Sequence, residues 1–277
     1  MQKRRRESCA LLLFIALAYG MVWLLYGIWE YFDIPFSMDP RQPGGRFYLL
    51  GAAIPSIAAL VTVFVTGGQE GLRLLLQRSF RWRFHPGWYA AAVLTPPVVT
   101  LGAAIAAVYC LGAHMPAQWF SPVFGAGFLL FFLIHDGLGE EIGWRGFALP
   151  FLQERLGSLG GNIAVGFIWA LWHFPLFLMP GSFQYGDSIL LYVWLLTCWS
   201  VVMGLFVHRA GGSVLVAILF HETANFIAFT VHYPGSGYFF LLWGVAAAVA
   251  IVFLPRPLFR LPGKSDDAMN TMSSHRY

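Results

Sequence analysis

Eight apolar windows, at about 9–31, 47–67, 87–112, 123–149, 161–180, 188–207, 213–232 and 236–254, leave this chain little room to be anything but a bundle of membrane-spanning helices. Each approaches the ~20 residues that cross a hydrocarbon core. Several contain glycine or proline (Gly125, Gly127, Pro96, Pro97 and Pro175), which spans tolerate where neighbours cover the freed backbone groups. Soluble domains carry about 25% charged residues; here the figure is 11%. The expectation is an all-α polytopic membrane protein with about eight transmembrane helices. It forms one domain over residues 1–254 with a motif-bearing core at 120–230, followed by a flexible cytoplasmic tail at 255–277.

The basic residues lie in the loops, so the high pI is a positive-inside pattern rather than a nucleic-acid signal. With the N-terminus in the cytoplasm, eight spans put every one of the 17 Lys and Arg residues except Arg41 and Arg46 on the inner side, and both termini are expected there. The run from Cys9 to about Ile28 is too long for a signal-peptide core and reads as a retained first span. Residues 71–83, with Arg73, Arg78, Arg81 and Arg83, read as a basic amphipathic helix on the inner surface. Cys9, Cys110 and Cys198 stand apart from one another and serve as small packing residues.

Against this background Gly139-Glu140-Glu141-Ile142-Gly143-Trp144-Arg145-Gly146 stands out. One charge near a bilayer centre costs about 2.5–3.5 kcal/mol even on mild scales, so three together require a reason. Two other windows carry a histidine at helical spacing from a second distinctive residue: Trp169 with His173, and His221 with Asn225. Counting from the expected cytoplasmic ends, Glu140, His173 and His221 lie roughly 15, 18 and 12 Å deep. Three helices threaded in alternating directions thus bring them to similar depth.

Helical phase gives provisional roles. Glu141 and Arg145 are four apart with the acid first, the favourable orientation for an ion pair. Glu140 projects about 100° away and is left free to act as a general base toward water, a role worth about 10²–10⁴ in rate. Asp136, one turn earlier, adds a second carboxylate. His173 shares the attacking water or protonates the leaving amine, with Trp169 fixing its rotamer. His221 and Asn225, on one face, have the donors to stabilise an oxyanion. Glu222 faces elsewhere, as a packing or entrance residue, and His135, His114, His208 and His232 are structural. His221-Glu222-Thr223-Ala224-Asn225 lacks the second histidine of a zincin, although Glu140, His173 and His221 supply three zinc donors as an alternative.

These motifs resemble those of the CPBP intramembrane proteases, which include the type II CAAX prenyl endopeptidases and the bacterial Abi and bacteriocin-processing proteins. The resemblance covers about 120–230 and rests on Glu140-Glu141-x-x-x-Arg145, Trp169-x-x-x-His173 and His221-x-x-x-Asn225. It implies an eight-helix fold and a glutamate-dependent endopeptidase whose site opens to the cytosol. Glu140 and His173 activate water, His221 and Asn225 form the oxyanion site, and Glu141 and Arg145 support them. It also implies no metal cofactor. One departure is Trp169, where phenylalanine is usual.

The reading is therefore an intramembrane endopeptidase acting on a membrane-associated peptide or protein, with prenylated CAAX-type substrates as one class. A bacterial inner membrane is the expected location, the lipid bilayer and the substrate the expected partners, and nucleic acid is not among them. The competing readings are a proton-coupled transporter, which predicts paired broken helices in two related halves, and a non-catalytic immunity or binding protein.

Overall fold

The computed structural model describes residues 2–115, 120, 133–231 and 236–254. The expected tail at 255–277 and the first ten residues of the fourth apolar window lie outside them. Among the described residues the fold is all-α: α1 (Gln2–Tyr31), α2 (Pro43–Ser79), α3 (Gly87–Leu111), α4 (Leu138–Glu141), α5 (Leu149–Trp172), α6 (Phe174–Leu178), α7 (Ile189–Arg209), α8 (Leu215–Thr230) and α9 (Ser236–Phe253). Wide π turns at Leu133–Gly137 and Ile142–Ala148 flank α4. Among the described residues five stretches are long and apolar enough to cross a membrane, one of them His135–Leu178 with 44 residues; Leu215–Thr230 and Phe239–Phe253 are shorter apolar helices.

Glycine punctuates the two longest stretches. Gly68 (φ 61°) breaks α2 and Gly157 (φ 75°) breaks α5, both in the left-handed region that only glycine adopts without strain. The first break separates the expected span at 47–67 from the basic segment. That segment is helical only to Ser79, not to residue 83. Its last residues are instead tied to the turn joining α7 to α8. Arg81 Nη1 donates to Gly211 O at 2.8 Å, and Ser213 Oγ donates to Arg81 O at 2.6 Å. Arg78 bridges that turn and the motif segment, donating to Gly212 O at 3.2 Å and Arg145 O at 2.9 Å. These basic groups therefore hold protein together rather than only facing lipid.

Lipid tails give apolar helices no hydrophobic reason to associate, so close approach of backbones must do so. Small residues supply it. At Gly139 and Gly143 a Cβ would lie 2.6 Å from Ala52 O and 2.5 Å from Pro55 O, so the motif helix rests directly on the backbone of α2. Ser56 Oγ clamps the crossing by donating to Leu138 O at 2.7 Å. Between α5 and α7, Gly166 faces the Thr197 backbone, and Ser200 Oγ donates to Asn162 O at 2.8 Å. The interior is filled by Trp29, Trp144, Trp169 and Trp243, while Leu12, Leu24, Val98 and Val252 lie outside on the spans, as lipid-facing residues should.

Candidate active site

The motif segment is a short α-helix between two π turns, squeezed between α2 and α8. Residues 139–141 are fully buried. Glu222 of α8 reaches into this segment: its Oε1 accepts from the Gly137 backbone N–H at 2.6 Å. A side chain that takes a backbone donor in this way interrupts the regular ladder, one recognised cause of a local change in helical pitch. Glu222 thus shapes the motif helix and is no entrance residue.

Glu141 and Arg145 form the expected ion pair, Arg145 Nη1 donating to Glu141 Oε1 at 2.9 Å. The same oxygen lies 2.9 Å from His221 Nδ1, so Glu141 holds two of the motif side chains at once. Arg145 is wholly buried, with its guanidinium carbon 4.3 Å above the Trp169 ring. Glu140 is not left free as helical phase implied: its Oε2 accepts the Trp169 indole N–H at 2.5 Å. Phase describes one helix in isolation, whereas this bond comes from α5.

His173 stands at the end of α5, not within a continuous helix over 161–180. The helix stops at Trp172 because Pro175, with no N–H, cannot continue the ladder to Leu171 O. His173 Nδ1 lies 2.9 Å from Trp169 O. A carbonyl only accepts, so Nδ1 carries the proton and Nε2 of the neutral ring is the acceptor. The ring packs edge-on to Trp172 and Tyr192, with centroids 4.8 and 5.3 Å away. Asn225 does not stand alone either: its Nδ2 donates to Asp136 Oδ2 at 2.8 Å. His135, expected to have no partner pattern, places Nδ1 2.5 Å from Asp136 Oδ1.

Glu140, His173, His221 and Asn225, from three separate elements, line one cavity of about 440 Å³, together with Asp136 and Trp169. Its other wall is largely aromatic and aliphatic, including Tyr26, Tyr48, Tyr192, Trp199 and Phe229. Glu141 and Arg145 lie behind the cavity wall and act through the residues they hold. A polar end and an apolar wall make a site for an amphipathic ligand.

Zinc requires donors gathered at about 2.0–2.2 Å around one point. Among the described residues no group of three or more His, Cys, Asp or Glu side chains is arranged to hold a metal ion.

The sequence reading overlooked Asp136 as a hydrogen-bonding partner, the second acceptor role of Glu141, and the bond from Trp169 to Glu140. The only available signal was the presence of polar residues in apolar windows; which of them meet is set by helix crossings.

Residues 122–227 match the family described as type II CAAX prenyl endopeptidase, Rce1-like. A protein named CAAX prenyl protease 2 from Methanococcus maripaludis is 33% identical over 103 residues, which is 35% of this chain and 38% of that protein. The alignment therefore spans well under half the length of either. The family match covers the motif-bearing segment, and the two matches together support a CPBP-family protease.

Proposed function

We propose that the protein is an intramembrane endopeptidase of the glutamate-dependent kind, hydrolysing a peptide bond in a membrane-associated peptide or protein. One observation carries the reading: four side chains suited to amide hydrolysis line a single buried cavity with an apolar wall. Glu140 takes a proton from water as that water attacks the scissile carbonyl. His173, through Nε2, helps to bind the water and then relays the proton that Glu140 has taken up to the departing amine, which restores the Glu140 carboxylate. Asn225 donates an N–H to the developing oxyanion. His221 is held by Glu141 Oε1 through Nδ1 at 2.9 Å, and its second ring nitrogen takes part in the oxyanion site.

The name of the Methanococcus relative and that of the matched family support substrates of the prenylated CAAX type. The aromatic wall beside the polar end suits such an amphipathic chain. From the charge asymmetry, both termini face the cytoplasm of a bacterial inner membrane. The resemblance implies a site open to that side, whereas the cavity lining includes Gln184, Asp187 and Ser188 of the loop before α7, which the same topology puts on the opposite face.

The test compares membranes carrying wild type with membranes carrying Glu140→Gln, by mapping new peptide termini with mass spectrometry, with and without a strong chelator. The reading expects termini that vanish in the variant and survive chelation. Loss under chelation points to zinc, and identical termini in both membranes reject the proteolytic role.

A further inference from the structure

Asp136 is buried, lines the same cavity as Glu140, and has no part in the reaction just described. Its two oxygens are occupied in different ways. Oδ2 accepts from Asn225 Nδ2 at 2.8 Å, and His135 Nδ1 lies 2.5 Å from Oδ1. The His135 ring in turn packs on Tyr48, with centroids 5.0 Å apart. Each carboxylate oxygen thus has one polar neighbour.

This pairing has a counterpart five residues along. Glu141 takes His221 Nδ1 just as Asp136 takes Asn225 Nδ2. Each of the two polar side chains that α8 brings to the cavity is thus bound, through one nitrogen, to a carboxylate of the same short segment. Residues five apart on a regular α-helix point about 140° away from each other. They come to one face only where the turn widens, and π turns at 133–137 and 142–148 enclose this pair's helix.

We propose that Asp136 is a positioning residue for Asn225, fixing which end of the amide meets the substrate. A free asparagine amide presents either an oxygen or an NH₂ group to the cavity, and only the NH₂ end stabilises an oxyanion. An ionised carboxylate accepts and does not donate, so Asp136 selects the orientation with the NH₂ group toward it. One N–H is used by Asp136 and the second is left for the scissile carbonyl oxygen. This inference rests on the proteolytic reading above.

The test is a kinetic cycle in proteoliposomes, with a farnesylated fluorogenic peptide ending in Cys-aliphatic-aliphatic-X. It uses wild type, Asp136→Ala, Asp136→Asn, Asn225→Ala, the Asp136→Ala/Asn225→Ala pair, and Glu140→Gln. Removing an oxyanion donor outright costs about 10²–10³ in kcat, so misorienting it should cost roughly tenfold to a hundredfold, with KM little changed. Asp136→Asn, which keeps the shape and one acceptor oxygen, should recover part of the loss. In the Asn225→Ala background, Asp136→Ala should cause no further loss, because residues acting as one unit are not additive. Multiplying losses, an unchanged kcat in Asp136→Ala, or an effect on KM alone would overturn the proposal. If Asp136→Ala does not fold, Asp136→Asn takes its place in the cycle. Glu140→Gln separates the two claims: full activity there rejects the proteolytic mechanism itself, whatever Asp136 does.

Discussion

The Trp169 indole N–H donates to Glu140 Oε2 at 2.5 Å, fixing one oxygen of the carboxylate that we assign as the general base. The same residue offers its ring to Arg145 and its backbone carbonyl to His173. One residue thus contacts Glu140, Arg145 and His173. A phenylalanine at this position would have no N–H to donate.

Trp169→Phe removes the N–H and retains a ring over Arg145. A hydrogen bond to a charged group is worth about 1.5–3 kcal/mol, part of which water in the cavity will replace, so kcat should fall by roughly tenfold. KM and the thermal midpoint in detergent should change little. Unchanged kcat would show that Glu140 needs no such restraint.

Glu141 is shared by Arg145 and His221, and Arg145 has no exposure at all. Glu141→Ala leaves a buried guanidinium without its carboxylate and should cost about 3–5 kcal/mol, visible as a large drop in the thermal midpoint. Replacing both partners, as Glu141→Leu with Arg145→Leu, should restore much of that stability, since paired apolar groups avoid the desolvation penalty. Activity should stay lost because His221 still lacks its acceptor. Recovery of activity in the pair would mean that the bond from Glu141 to His221 has no role in turnover.

The crossing of the motif segment over α2 depends on absent side chains. Gly139→Ala and Gly143→Ala each put a Cβ against α2 backbone oxygen, and either should destabilise the protein by about 1–3 kcal/mol. Gly20→Ala and Gly27→Ala, where a Cβ meets nothing within 4 Å, are the controls and should be neutral or slightly stabilising. Thermal unfolding in one detergent compares all four.

Which parts of this arrangement the sequence disclosed depends on how local they are. Glu141 and Arg145 meet because four residues is one helical turn, and His221 and Asn225 share α8 for the same reason. Apolar length located α3, α7, α8 and α9 to within a few residues, because hydrocarbon thickness sets span length. The two π turns left no trace in a pattern read at 3.6 residues per turn. The break at His173 was legible in Pro175, yet window averaging passed over it. The contacts from Trp169 to Glu140, from Asn225 to Asp136 and from Glu222 to Gly137 join residues 29, 89 and 85 positions apart. Only the helix crossings, set by glycines that fit against a neighbouring backbone, bring those partners together.

The central claim is that Glu140 activates water for peptide hydrolysis without a metal ion. The most direct measurement is cleavage of a farnesylated CAAX-type peptide by purified protein in proteoliposomes, comparing wild type with Glu140→Gln before and after exhaustive chelation. The account predicts full wild-type cleavage after chelation and a loss of at least about a hundredfold in Glu140→Gln at equal folding. Cleavage that disappears on chelation and returns with zinc, or that persists in Glu140→Gln, would contradict it.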